Sequence, residues 1–211
     1  MVLFAVATQQ ANRSEPQDAV RVLPYMDTNQ LKTKFEKLGA RAKIRPLARN
    51  RWRPDPGRVV IDVRHDRHGE FFDIQADSEA DVHVLDVQPR DRHLLLMVRH
   101  PADRAGLPDT KEKLLCGHDE RHWFVAGVSD SVPVSSVVTA KEALKPDAVR
   151  SREQGKRGKR AKRQRRKTDV FVRQGEWFFI PSPDVQVNEK LILTNEPIRR
   201  GRGKPHMCEE L

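Results

Sequence analysis

The chain has 211 residues and a formal net charge of +10, from 40 Lys and Arg against 30 Asp and Glu. Hydrophobic residues make up 37% of it, below the usual ~45 to 50%, so we expect part of the chain to lie outside any core. Two cysteines without an export signal argue for free thiols and against an oxidising compartment. We therefore expect a cytoplasmic protein, or a nuclear one if the host is eukaryotic.

The first segment of the chain is apolar from Met1 to Ala7 and polar from Gln9 to Asp18. The apolar run is shorter than the ~20 residues of a membrane-spanning helix. It also lacks the basic residues that precede the apolar part of a secretory signal. We expect residues 1–19 to form a flexible leader and the protein to have no membrane partner.

The first predicted element is a short amphipathic helix. Leu31, Phe35 and Leu38 recur at helical spacing, Asp27 or Thr28 can cap the start, and Gly39 ends the pattern. The next stretch, residues 45–57, holds three prolines and is expected to contain little regular structure.

The rest of the chain up to the basic region is predicted to be mainly β-structure. A hairpin over residues 59–74 and strands over 82–87, 93–99 and 122–128 are indicated by β-branched and aromatic runs between turn residues. A helix is predicted over 135–144, with Ser135 or Ser136 as its cap. Beyond the basic region, residues 169–181 predict a hairpin and residues 191–193 a last short strand.

These elements predict an α+β fold with a mostly antiparallel sheet, one or two helices and a disordered basic insertion. The expected organisation is a leader (1–19), an α+β body (20–149), the insertion (150–168) and a C-terminal hairpin that completes the same domain (169–211). Strands on both sides of the insertion are expected to share one sheet, and the insertion is then an exposed loop that is tolerated because its length adds little closure entropy.

The polybasic segment, defined here as residues 150–167, contains eleven Lys and Arg and one acid, so its net charge equals that of the whole chain. It has no apolar residue beyond Ala161 with which to bury itself, so we expect it to be disordered when free. A like-charge block of this density is typical of a segment that binds a polyanion. A solubilising linker or an import-like patch is the alternative.

The residues expected to contact phosphates lie in the polybasic segment and in a second small basic cluster near the C-terminus. They are Lys156, Arg157, Lys159, Arg160, Lys162, Arg163, Arg165, Arg166, Lys167, Arg199, Arg200, Arg202 and Lys204.

Two mirrored pairs, Cys116 with His118 and His206 with Cys208, supply the ligand types of a tetrahedral zinc site. One intervening residue is too short a spacing for the familiar zinc fingers. The sequence favours a buried Cys116 and an exposed terminal Cys208, with no cofactor, and zinc bound by these four residues is the alternative.

A loop with His118, Asp119, Glu120 and His122 combines acid, base and metal-ligand chemistry within five residues. In a helix the two histidines would share a face. The strand-like residues that follow instead favour a polar turn at the start of a β-strand.

The sequence favours binding over catalysis. The leading hypothesis is a nucleic-acid-associated protein that contacts DNA or RNA phosphates non-specifically through the polybasic segment, with the folded sheet available for a protein partner. The alternative is a metal-assisted hydrolase or nuclease that uses the loop at residues 118–122. No phosphate-binding loop, dinucleotide fingerprint or nucleophile elbow is present in the sequence.

Overall fold

The computed structural model describes residues 27–47, 57–77, 79–100, 109–119, 122–129, 132–154, 164–174, 177–198 and 206–210. The chain forms two compact units, an N-terminal unit (Met1–Leu144) and a C-terminal unit (Lys145–Leu211). The expected leader lies outside the described residues. None of the described helices is long and apolar enough to cross a membrane.

The N-terminal unit begins with helix α1 (Thr28–Glu36), which confirms the first predicted element. Asp27 caps it, because its side chain accepts hydrogen bonds from the backbone N–H groups of Asn29 and Gln30, both at 3.0 Å. Leu31 and Phe35 are buried on one face of the helix. Gly39 follows the helix with a φ of +75°, a conformation that glycine adopts without strain.

A three-stranded sheet comes next, built from β1 (Ala42–Pro46), β2 (Val59–Asp66) and β3 (Gly69–Ala76) in the order β1-β3-β2. The hairpin of β2 and β3 confirms the prediction, whereas β1 is absent from the predicted elements and runs parallel to β3. Alternation along β3 sends Phe72, Ile74 and Ala76 into the core.

A four-stranded antiparallel sheet follows in chain order, with β4 (Asp81–Gln88), β5 (His93–His100), β6 (Thr110–Asp119) and β7 (His122–Val128). β4, β5 and β7 are predicted elements, and β6 is not. Both faces of this sheet are covered, which explains why β5 carries consecutive leucines. Gly117 on β6 lies opposite His93, whose ring would be 2.5 Å from a Cβ atom at that position.

Two apolar layers therefore hold the N-terminal unit together. One contains α1 and residues from both sheets, with Phe72 at its centre against the rings of Phe35 and Trp123. The other lies between the four-stranded sheet and helix α2 (Val137–Ala143). The predicted cap of α2 is confirmed as Ser136, which forms a capping box with Thr139.

The C-terminal unit contains helix α3 (Asp147–Glu153), the hairpin of β8 (Val172–Gln174) and β9 (Trp177–Phe179), a 3₁₀ turn (Glu189–Leu191), and the strand pair β10 (Thr194–Ile198) and β11 (His206–Glu210). The hairpin after the basic region confirms the prediction. The strand expected at residues 191–193 is wrong, because Leu191 ends the 3₁₀ turn and the next strand begins at Thr194.

The α+β class and the mostly antiparallel sheets are confirmed, with three α-helices in the described residues instead of one or two. The expectation of one shared sheet is wrong, because the described strands after the polybasic segment pair only with one another. The disordered insertion is not confirmed. Its first residues, 150–153, belong to α3, and residues 155–163 lie outside the described part of the chain. The assignment of residues 169–211 to the same domain stays a prediction.

Candidate functional site

The two compact units of the chain differ in net charge. The C-terminal unit carries 18 Lys and Arg against nine Asp and Glu, a net of +9. The N-terminal unit carries 22 against 21, a net of +1. The attraction for polyanions is therefore concentrated in the unit that contains the polybasic segment.

Helix α3 fixes the start of the polybasic segment. Its Val149 is fully buried and packs against Val170 and Phe171, with Phe178 and Ile180 at the edge of the same cluster. Arg150 and Arg152 are on the exposed side of the helix, where the last turn of a helix favours cations. One face of α3 is thus held by apolar contacts while the other presents the first charges of the segment.

A buried ion pair lies next to this cluster. The Nζ atom of Lys145 is 2.8 and 3.1 Å from the two carboxylate oxygens of Glu153, and it also lies 5.7 Å from the ring centroid of Phe171. Glu153 is the one acid of the polybasic segment. Because Lys145 pairs with it inside the unit, its negative charge is not presented beside the exposed arginines.

The end of the polybasic segment is fixed by the residues before β8. Lys167 forms a β-bridge with Val172, and the backbone N–H of Arg173 donates to the carbonyl oxygen of Arg166 at 2.7 Å. The hydroxyl oxygen of Thr168 accepts hydrogen bonds from the N–H groups of Val170 and Phe171 and so holds the turn. Both ends of the segment are therefore tied to the cluster around Phe171.

Three of the residues that are expected to contact phosphates lie in the described part of the chain. Arg165, Arg166 and Lys167 are exposed. Lys156, Arg157, Lys159, Arg160, Lys162 and Arg163 lie outside the described residues. The second basic cluster, with Arg199, Arg200, Arg202 and Lys204, also lies outside them, in the connection between β10 and β11.

The loop with the acid, base and metal-ligand side chains is the turn of the β6–β7 hairpin, as a polar turn at the start of a strand predicts. Asp119 pairs with His122 and His118 with Trp123, so alternation places His118 and His122 on opposite faces. The helical arrangement, with both histidines on one face, is wrong. Glu120 lies outside the described residues.

Each histidine of this hairpin has a structural partner. The His118 ring is edge-on to Trp123, with centroids 4.8 Å apart. His122 Nδ1 is 2.9 Å from a carboxylate oxygen of Glu70, whose other oxygen accepts a hydrogen bond from the backbone N–H of Trp123 at 2.8 Å. Catalysis by His118, Asp119, Glu120 and His122 stays an untested hypothesis.

The four residues of the zinc alternative come from different units of the chain. Cys116 is buried in the N-terminal unit, where burial raises the pKa of its thiol. Cys208 is half-buried on β11 of the C-terminal unit, which also contains His206. Among the described residues, no group of three or more His, Cys, Asp and Glu side chains could hold a metal ion.

The structure also shows a cluster of charges that the sequence analysis does not identify. On the outer face of the three-stranded sheet, the carboxylate of Asp73 is buried on the central strand β3. Its Oδ2 atom accepts hydrogen bonds from Arg45 Nη2 at 2.6 Å and Gln75 Nε2 at 2.8 Å, and it forms an ion pair with Arg64 Nε at 2.9 Å. Burial opposes its ionisation, but the hydrogen bonds and charges of these neighbours hold the pKa of Asp73 below its ordinary value.

Farther along the same face, Asp66 is bonded by Arg41 and Lys43, each with a closest distance of 2.8 Å. These hydrogen bonds, first from Arg41 and then from Lys43, hold the pKa of Asp66 well below its usual range. Both cations also lie over the ring of Phe71, at 5.6 and 4.1 Å from its centroid. We call Arg41, Lys43, Arg45 and Arg64 the cationic face. The sequence signal for it is the alternation of cations and apolar residues from Arg41 to Arg45.

No family model, curated protein or solved structure matches this chain at a significant level of similarity.

Proposed function

We propose that this protein associates with nucleic acid, DNA or RNA, by contacting phosphates without sequence specificity through its polybasic segment. The observation that carries the proposal is the charge distribution: eleven Lys and Arg and one acid within residues 150–167, in a unit with a net charge of +9. In this function the protein is a binding protein and catalyses no reaction.

Counterion release supplies the affinity. Each phosphate that a Lys or Arg neutralises releases condensed counterions, so affinity falls steeply as salt rises and depends little on base sequence. The segment contains no aromatic residue, which supports backbone contact over base stacking. The burial of Glu153 against Lys145 also supports the proposal, because it withdraws the one acid from the exposed charges.

The fixed ends of the segment determine where a bound strand lies. Because α3 and the turn at Thr168 pack on one apolar cluster, a polyanion that follows the segment stays close to the C-terminal unit. The basic cluster between β10 and β11 belongs to the same unit and adds four cations. The two free thiols are compatible with the reducing cytosol or nucleus, where this partner is found.

A segment-neutral variant tests the proposal. It replaces with Gln or Ser the nine basic residues Lys156, Arg157, Lys159, Arg160, Lys162, Arg163, Arg165, Arg166 and Lys167. We expect its affinity for a labelled oligonucleotide to fall by at least about 100-fold at low salt. Its melting temperature should stay nearly the same, because the substituted side chains bring no apolar group to a core and the described ones, Arg165, Arg166 and Lys167, are exposed.

Two controls accompany this variant. A full-length protein with residues 156–167 in scrambled order keeps the charge and should keep the affinity, because the contact is not sequence-specific. Lys32→Gln/Lys37→Gln removes two exposed cations, one in α1 and one at its C-terminal cap, and should change affinity little. Equal oligonucleotide affinity for the wild-type and segment-neutral proteins would overturn the proposal.

A further inference from the structure

The near-neutral N-terminal unit is itself divided by charge. Residues 28–76, which include α1 and the three-stranded sheet, contain twelve Lys and Arg against six Asp and Glu, a net of +6. Residues 77–144, which include the four-stranded sheet and α2, contain eight against twelve, a net of −4. A net of +1 therefore conceals one basic stretch and one acidic stretch of the chain.

The cationic face concentrates part of this basic charge on the outer side of the three-stranded sheet. Its side chains remain substantially accessible, with Lys43 54%, Arg45 50% and Arg64 49% exposed. The acids that pair with them lie deeper, since the side chain of Asp73 is fully buried and that of Asp66 is 24% exposed. An approaching ligand thus meets cations first.

The buried carboxylates and Phe71 hold these cations in place. In the described residues, Arg45 contacts Asp73 through Nη2 and Arg64 contacts it through Nε. A guanidinium group has five N–H donors, so each arginine has further donors with which it can bind a phosphate. Guanidinium groups that are already oriented lose less freedom when they bind a phosphate.

We propose that the cationic face binds the phosphodiester backbone of single-stranded nucleic acid. Arg41, Lys43 and Arg45 recur at every second position of one extended segment, so they form a row with a repeat of about 6.6 Å. Rows of cations on an open sheet face suit an extended strand, as sheet platforms for single strands do. The inference takes the class of partner from the proposed function and adds a second contact surface, in the other unit of the chain.

One exposed acid on this face is expected to weaken the binding of a phosphate. Asp62 is 63% exposed and its Oδ2 atom is 3.8 Å from Arg64 Nε. Because it repels a phosphate, its neutralisation should strengthen binding, while the loss of a cation should weaken it. The proposal therefore predicts that neutralising Asp62 raises the affinity and that neutralising a nearby exposed cation lowers it.

The experiment uses full-length proteins on the segment-neutral background, so that the polybasic segment does not mask a second site. A fluorescein-labelled oligo(dT) of about 15 nucleotides is titrated by anisotropy. Lys43→Gln leaves Asp66 paired with Arg41 and should lower the affinity about threefold, with a salt slope reduced by about 0.7. Asp62→Asn should raise the affinity about twofold, because it removes a repulsive charge.

The matched control is Lys111→Gln, which removes one exposed lysine from β6, within the acidic stretch of residues 77–144. It should leave the affinity unchanged, and thermal melting should show that all variants fold. Equal affinities for Lys43→Gln, Asp62→Asn and Lys111→Gln would overturn the proposal. Tighter binding of a duplex of the same length, or equal binding of polyglutamate, would also overturn it.

The two proposals fail in different ways. If the segment-neutral protein loses all binding while the wild-type protein binds, the proposed function stands and the cationic face does not contribute. If neutralising the segment changes nothing but Lys43→Gln weakens binding, the cationic face stands and the polybasic segment fails. A wild-type protein that does not bind the oligonucleotide at low salt contradicts both.

Discussion

The two units of this chain differ in how they combine apolar and charged residues. The N-terminal unit buries two apolar layers and pairs its deeper acids with cations, whereas the C-terminal unit buries a small cluster around Val149, Val170 and Phe171. Val185 and Leu191 of the C-terminal unit are largely exposed. The excess charge is in the unit with the smaller described core, so most of the apolar burial and most of the excess charge lie in different parts of the chain.

The charge of the N-terminal unit gives a second lesson. A count over the whole unit suggests a neutral body, yet residues 28–76 carry a net charge of +6 and residues 77–144 a net charge of −4. Net charge therefore predicts interaction only when it is counted over the layer that a ligand can reach. In the C-terminal unit, by contrast, the polybasic segment and the unit as a whole both have a positive net charge.

The largest expected effect separates stability from binding. Phe72→Ala removes a fully buried ring that contacts Phe35 and Trp123, so it should destabilise the N-terminal unit by about 4 kcal/mol. Oligonucleotide affinity at a temperature where the variant is folded should change little, because the polybasic segment is intact. Hydrogen exchange of peptides from each unit measures the first effect and anisotropy the second. Equal loss of protection in both units would contradict separate roles.

A somewhat smaller effect concerns the buried ion pair of the C-terminal unit. Lys145→Met leaves the carboxylate of Glu153 without its ammonium partner and should destabilise α3 and its apolar contacts by about 3 kcal/mol. The double variant Lys145→Met/Glu153→Met should recover most of this loss, because no unpaired charge remains. Hydrogen exchange of peptides that cover residues 145–154 and 164–174 reports the change. Equal destabilisation of the single and double variants would assign the effect to packing.

The smallest effect is a pH dependence of the cationic face. Because the pKa of Asp66 is lowered in the folded protein, its ionised form stabilises the fold above about pH 4, the ordinary range of Asp, and this contribution is lost as the pH falls further. Asp66→Asn should therefore be less stable than wild type near neutral pH, with a gap that closes in acid. Urea midpoints at both pH values test it, and a gap that widens in acid would contradict the assignment.

Much of the fold could be predicted from local patterns. Helix α1 was accessible because its cap, its apolar spacing and Gly39 all lie within one short stretch, and the β2–β3 hairpin because its strands flank a tight turn. The strand β1 escaped prediction because it is short, carries two charged residues and a proline, and pairs in parallel with a strand far along the chain. Residues 191–193 show the reverse, since an apolar run without a strand partner forms no strand there.

The candidate site could be predicted only where its charged residues are close together in the sequence. The polybasic segment can be found by counting residues, whereas the cationic face depends on the register that places Lys43 and Asp62 on either side of Asp73. Sequence alone could not supply that register, because it is set by the burial of the opposite face of the sheet. The position of α3 likewise depends on the packing of Val149 against Val170 and Phe171, which follow the polybasic segment in the chain.

The salt dependence of oligonucleotide binding tests the central claim most directly. Plotting log affinity against log salt for the wild-type protein should give a line with a slope of about −4 to −6, since each phosphate contact with a single strand contributes about −0.7. The segment-neutral protein should give a slope no steeper than about −2, from the cations that remain. Equal slopes for the two proteins, or wild-type affinity that does not change with salt, would contradict the claim.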